Sequence, residues 1–419
     1  MECLDNICKE PYRLFFPLGI LMGVWGVSHW VWYAVGLSKS YSGFFHSSLQ
    51  ILVYMNCFIV GFLSTAIPRF TASSHATKFE VGSFFFLLLA ISFFLIEQKW
   101  VIAQVLYIVF LGMLIRFVLL RLKHRVRTAA PGKAPKELIW VPMGLLHGIV
   151  GTVLLILGET GLLPAWSIKV GKPMMDQGFL LCVVIGIGGF LIPRLMGTYQ
   201  SDDHEAACTT ESKLGLAVKN RSIMAHFLCA VILFASFWLE GLEFSALAYG
   251  LRAAVITYQF AGAGVLKFLL QPCDFYVRLA WISVWLTAVG YWGAALFIDY
   301  QKMMLHITFI GGFSLMTFAI ATMVVFSHAG EAQRLKRPLG ILWVVAIGLT
   351  ISFLERAMVA FFPDKYFHVL GGAATFWLIA AVSWLIFIFP SLLKVPQEDE
   401  FAKMHQQVEQ HVSLRIKRS

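Results

Sequence analysis

"MMLHITFIGGFSLMTFAIATMVVFSHAGE", residues 303–331, holds a run of apolar residues long enough to cross a bilayer, with a histidine towards each end, His306 and His328. A helix needs about 20 predominantly apolar residues to span the hydrocarbon core. Backbone groups in lipid must bond internally, so such a run specifies a helix. A second run, "FFHSSLQILVYMNCFIVGFLSTAIPRF" at 44–70, opens the same way with His46. The whole chain of 419 residues shares this character, being 59% apolar and 13% charged. A soluble domain carries roughly a quarter charged residues. The composition therefore points to an all-α polytopic membrane protein in a lipid bilayer.

Working outward from these two runs, spans are predicted near 14–37, 46–67, 80–97, 100–120, 138–158 and 175–196. The second half gives 222–240, 243–268, 276–298, 302–326, 338–361 and 366–390. These twelve leave a short N-terminal segment, 1–13, and a basic tail, 391–419, around one membrane domain, 14–390. The start "MECLDNICKEPYR" is polar and lacks a signal pattern, so the first span reads as retained. The connection 121–137, "RLKHRVRTAAPGKAPKE", carries six Lys or Arg, and "RLKRP" and "LRIKRS" add further positive charge at 334–338 and in the tail. All fall on even-numbered loops or the C-terminus. By the positive-inside bias both termini are expected in the cytoplasm of a bacterial inner membrane. The net charge of +10 is accounted for by this orientation and requires no nucleic-acid partner. Seven cysteines show no paired zinc spacing and are expected as thiols.

"GFLSTAIPRF" at 61–70 and "GGFLIPRLMG" at 188–197 share Gly-Phe-Leu followed by Ile-Pro-Arg. Either this is a repeated stop signal, or a four-helix unit is used three times with spans two, six and ten equivalent. In the second case His46 and His306 sit at matched depth near the outer surface. A pair of imidazoles on separate helices can hold a haem iron, and buried polar residues in membranes mark function. His29 in span one and His368 at the start of span twelve are candidates for a copper or haem-neighbouring role, with plain burial the alternative. Arg252 and Arg356 are candidates for haem propionates, and an Arg252–Glu355 bridge is the structural alternative. The Met174, Met175 and Asp176 group could suit copper, although Met pairs commonly just pack.

These residues resemble the NnrS family, haem- and copper-containing membrane proteins linked to nitric oxide metabolism. "PYRLFFPLG" resembles its PFRPFF opening, with Trp30 on a later tryptophan. "FHSSLQ…GFLSTAIPRFTAS" resembles WHAHEM…GFLLTAVPNWTG, and span ten resembles HALTVGAIG…SLGHTGR, placing His306 and His328 on its two histidines. Departures exist: Ser48 and Leu49 replace the second His and the Glu of HxHE. Arg278 stands for an expected histidine, and Glu331 ends what is HTGR elsewhere. The resemblance implies haem b with copper as a further candidate, metal ligands among His46, His306 and His328, and nitric oxide as partner; the depth reading adds His29 and His368 as candidate metal ligands. There is also an architectural likeness to haem–copper oxidases and nitric oxide reductases, which place a bis-histidine haem between the second and tenth of twelve spans. A quinol-linked nitric oxide reductase and a transporter are the alternative functions, with Glu355, His147 and Asp299 as candidate proton carriers.

Overall fold

Three of the four longest apolar helices, Gly43–Thr71, Trp166–Leu195 and Ile298–His328, are not uniform α-helices. In a computed structural model, which describes residues 2–71, 73–123, 136–197, 223–267 and 273–394, each contains a π-helical stretch near one end. The middle of the basic 121–137 connection, Cys208, His124, His204 and the tail beyond 394, with His405 and His411, lie outside these residues. All regular structure among the described residues is helical. After a short N-terminal helix, Glu2–Lys9, come α1 (Tyr12–Ala34), α2 (Gly43–Thr71), α3 (Lys78–Ile96), α4 (Trp100–Lys123), α5 (Lys136–Glu159) and α6 (Trp166–Leu195). They are followed by α7 (Ile223–Gly241), α8 (Ser245–Gly262), α9 (Phe275–Leu296), α10 (Ile298–His328), α11 (Gly340–Phe361) and α12 (Pro363–Leu392).

Eleven of these helices are long and apolar enough to cross a membrane. The exception is α8, an 18-residue helix that ends sooner than the predicted 243–268. It carries Arg252 and Gln259, both buried, which dilute its apolar character. The chain is thus a multi-pass membrane protein. Exposed side chains such as Leu21, Phe86, Val105, Ile347 and Ile386 cover outer helices with apolar surface, as a lipid-facing shell requires.

The helices form a closed ring. Neighbours in sequence pack on one another from α3 to α12, and α12 returns to pack on α1. Three helices stand apart by burial: 78% of the apolar window of α2 and 72% of those of α6 and α10 are buried, against 28–56% in the other eight. These inner helices span 29, 30 and 31 residues, longer than the sequence reading placed them. The difference is greatest in α6, where "WSIKVGKP" reads as a polar approach to the membrane. It is helical because Gly171 lies backbone to backbone against Gly151 of α5; an added Cβ would meet the Gly151 carbonyl oxygen at 2.6 Å.

Similar close approaches recur at fixed intervals. On α1, Gly19, Gly23 and Gly26 face Cys57, Tyr54 and Gln50 of α2. On α5, Gly144, Gly148 and Gly151 face Cys182, Phe179 and Met175 of α6, each residue displaced by 125 positions. On α9 the same four-then-three spacing is occupied by Ser283, Thr287 and Gly290, with Thr287 against Gly312 and Gly290 against Thr308 of α10. The π-turns fall in register too. Leu49–Met55 in α2 and Met174–Gly178 in α6 each open 19 residues before the prolines Pro68 and Pro193. In α10 the π-turn is Ile307–Ser314. A π-turn breaks the i→i−4 ladder and is often found at functional sites. In α2 the freed carbonyl of Ile51 accepts from the Asn56 side-chain amide at 2.8 Å.

The first and last membrane helices meet at one face. Arg13 donates to the carbonyl oxygens of Leu392 at 2.6 Å and Lys394 at 2.5 Å, so the start of α1 and the end of α12 are neighbours. The ends of α2 and α10 join them through Arg69 and His328.

Candidate functional site

His306 stands immediately before the π-turn of α10 and His46 three residues before that of α2, at the helix ends opposite the face where the start of α1 meets the end of α12. Each imidazole is fixed in the same manner. The His46 Nδ1–H donates to the Gly26 carbonyl at 2.8 Å, and the His306 Nδ1–H donates to the Lys302 carbonyl. A ring held through Nδ1–H presents its lone pair at Nε2, the arrangement that orients metal-binding histidines. The two rings are half-buried, lie within electrostatic reach of each other, and share Arg356 of α11 as a neighbouring cation. Gly26 faces Gln50 so closely that an added Cβ would lie 2.7 Å from its side-chain nitrogen, and this close approach brings the carbonyl of α1 to His46.

The surroundings test whether a haem suits these residues. Nη1 of Arg356 is buried with no hydrogen-bond partner, as is Oε2 of the adjoining Glu355. An orphaned buried guanidinium nitrogen costs free energy unless something accepts from it. His29 packs with its ring centroid 5.9 Å from that of His46, and its two ring nitrogens are buried without a well-formed hydrogen bond. Trp30 lies edge-on to His46 at 5.8 Å, and Phe309 lies beside His306 at 6.3 Å. Two imidazole lone pairs, an unsatisfied cation and aromatic neighbours are group types that suit a bis-imidazole haem with an anionic propionate. Lys172 of α6 adds a second cation near His46, held by Asp176 at 2.8 Å and Ser47 at 2.9 Å.

The other candidates are placed elsewhere. Arg252 is wholly buried between the rings of Phe237 and Tyr249, donating to Ser236, Gln177 and Glu240. The expected alternative bridge from Arg252 to Glu355 is not formed: the partner is Glu240 at 2.5 Å, because α7 and α8 are packed neighbours. His368 is exposed at the start of the main helical part of α12. His328 lies at the far end of α10 from His306, its Nδ1–H donating to Glu10 at 2.9 Å while its Nε2 accepts from Arg69. Met174 and Met175 are buried in the α6 π-turn. His147 is buried against Phe234 and Phe237, donating from Nδ1 to Met143, and Asp299 is exposed. Among the described residues no three or more His, Cys, Asp and Glu gather as a metal-binding group.

Sequence reading missed Glu10, which is 2% exposed and gathers Tyr12, Arg13, Arg69 and His328 around one carboxylate. The signal was the local "KEPYR", an acid immediately before a Pro-initiated helix, which reads as a solvated terminus until the fold buries it.

No curated protein matches the chain. The family model described as NnrS protein matches residues 6–395, which takes in every helix from α1 to α12 together with His46 and His306. The chain belongs to the NnrS family of nitric-oxide-related membrane proteins.

Proposed function

We propose that this is a haem-binding bacterial inner-membrane protein of nitric oxide metabolism or resistance, with one b-type haem between His46 of α2 and His306 of α10 near the outer face. The single observation that carries this reading is the matched pair of imidazoles, each tied through Nδ1–H to a backbone carbonyl just ahead of a π-turn and both beside the unsatisfied Arg356. When bound, a haem held by two imidazoles supplies reversible one-electron exchange and leaves no open iron position. Electron transfer or sensing therefore follows more directly than turnover. His46 and His306 would hold the iron, and Arg356 would neutralise a propionate. Family membership supplies nitric oxide as the small molecule concerned. Copper remains a further candidate cofactor that family membership suggests.

The architecture proposed with it is twelve crossings in three four-helix units, both termini cytoplasmic. The 125-residue register of α1–α2 with α5–α6, the small-residue spacing of α9 and the three π-turns support the repeat. Contact of Arg13 with Leu392 and Lys394 supports an even number of crossings, with α8 among them.

Purified wild type should show a reduced-minus-oxidised haem b spectrum. His46→Ala and His306→Ala should each lose most of it while remaining folded. A colourless wild type, expressed with haem supplied, would overturn the reading.

A further inference from the structure

The π-turn of α6, Met174–Gly178, carries no histidine, yet polar side chains gather beside it on the His46 side of the membrane domain. Asp176 lies within that turn, and Asn56 directly follows the matching turn of α2. Tyr107 of α4 joins the two. Its hydroxyl accepts from the Asn56 amide at 3.3 Å. Its ring stands edge-on to Phe179, one turn beyond Asp176, with centroids 6.5 Å apart, and it lies within electrostatic reach of Asp176 itself. Gln104, one turn before Tyr107 and likewise buried, donates to Glu159 at the end of α5 at 3.2 Å. Lys172 lies within electrostatic reach of Glu159 and donates to Asp176 and Ser47, so four helices meet around these groups.

The orientation of both amides is decided by their partners. A carboxylate and a backbone carbonyl only accept. Nitrogen must therefore face Glu159 in Gln104, and the Ile51 carbonyl in Asn56 at 2.8 Å. That leaves Oε1 of Gln104 and Oδ1 of Asn56 buried with no hydrogen-bond partner, and Oδ1 of Asp176 shares their condition. Gln104 is 2% exposed and Asn56 is wholly buried. All three orphans of this group are acceptors. Each destabilises the fold unless a donor or a cation meets it.

Oxygen ligands of this kind suit a hard cation, and the local charge sets its valence. As ionised groups, Glu159 and Asp176 carry two negative charges against one positive charge on Lys172. One monovalent cation closes that balance. A divalent ion would leave a surplus charge in a low-dielectric site, where unpaired charge is costly. The polar side of the group is partly open to solvent, since the side chains of Lys172 and Asp176 are 28% and 15% exposed.

We propose that Asn56 Oδ1, Gln104 Oε1 and Asp176 Oδ1, with the Tyr107 hydroxyl, form a binding site for one alkali cation, Na⁺ or K⁺, which ties the π-turns of α2 and α6 to α4. The site uses protein oxygens alone and is independent of the haem reading.

The test uses the full purified chain in nanodiscs, held in choline chloride and titrated with NaCl or KCl at constant total salt. The unfolding temperature should rise with the logarithm of the concentration of at least one alkali cation, as for any ligand that binds only the folded state. Choline should give no rise. Gln104→Met and Asp176→Asn, which keep side-chain length while removing a ligand oxygen or its charge, should each weaken the apparent affinity for that cation severalfold. Wild-type crystals soaked in thallium(I) acetate should show an anomalous peak in contact with Asp176 and Tyr107, and this measurement decides the matter where a variant fails to fold. Identical unfolding in alkali and choline salts, or no thallium at these residues, overturns the site and leaves ordered water to satisfy the orphaned oxygens. Folded variants that keep the full alkali response place the ion elsewhere and overturn it equally.

Discussion

A single carboxylate shows how this chain absorbs a departure from its family's pattern. Glu331 stands where the related motif ends in arginine, and it turns to the cations around it. It accepts from Arg334 at 2.9 Å, Lys394 at 3.0 Å and the Ser391 hydroxyl, tying the end of α10 to the end of α12. Partial burial alone would raise its pKa, but the hydrogen bonds from Ser391, Lys394 and Arg334 outweigh it and hold the carboxyl at about 2. A depressed carboxylate contributes stability that is present above its ordinary value of 4.5 and is lost as pH falls towards about 2. Amide protection factors at 388–394, corrected for the intrinsic exchange rate, should therefore be constant above pH 5 and fall as the pH is lowered through that window. Glu331→Gln should show the lower protection at every pH and flatten the profile. Glu10 follows the same sign: burial raises it, His328 and Arg13 lower it further, and the net shift is downward. His328 is thereby committed at both nitrogens to an Arg69–His328–Glu10 relay. Replacing it with alanine should cost about 1–3 kcal/mol, the penalty for leaving a buried acceptor underpaired, read as a lower unfolding temperature with haem content retained.

The helix pairs are held at the element scale by small residues that let backbones touch. Without a hydrophobic drive between helices in lipid, close van der Waals packing and interhelical contacts carry association. Gly171→Ala would push its Cβ against Gly151 O at 2.6 Å and Leu155 N at 2.8 Å, both backbone atoms that cannot swing aside. Overpacking of this kind costs about 1–3 kcal/mol. Gly112→Ala on α4 meets nothing within 4 Å, and replacing a helical glycine there should stabilise by up to about 1 kcal/mol. Thermal unfolding in detergent should move in opposite directions for the two variants. Equal shifts would mean that the α5–α6 approach is not the tight one. The π-turns belong to this scale as well. Each leaves carbonyls outside the regular ladder, and their place next to His46 and His306 lets two inner helices present those rings to a common neighbour, Arg356.

For the whole molecule, the decisive contact joins the two ends of the membrane domain. Arg13 binds the carbonyls at the end of α12, and this contact supports the proposed reading of α8 as a crossing despite its buried arginine. Arg252 is tolerated there because Glu240, Gln177 and Ser236 satisfy its guanidinium, whereas an unpaired charge at that depth would be expelled. Single cysteines at Lys39 and Glu243 should be labelled by a membrane-impermeant maleimide in intact spheroplasts. A cysteine at Lys336 should react only after permeabilisation. Labelling of Glu243→Cys and Lys336→Cys from the same side would defeat the even count.

Sequence by itself determined the material: length and hydropathy of the apolar runs specify membrane helices, and the placement of Lys and Arg is the basis of the proposed orientation. The Gly-Phe-Leu and Ile-Pro-Arg echo at 61–70 and 188–197 pointed to the repeat, since a repeated unit keeps its helix-exit chemistry. It did not reveal the matching glycines of α1 and α5, whose meaning depends on which helix lies opposite. It also could not separate Arg252 from Arg356. Both are charges inside apolar runs, and only tertiary packing decides that one meets Glu240 while the other keeps an unpaired nitrogen beside two imidazoles. Hydropathy is a local sum along the chain, whereas π-turns, partners and cavities arise from how separate helices fill one another's surfaces.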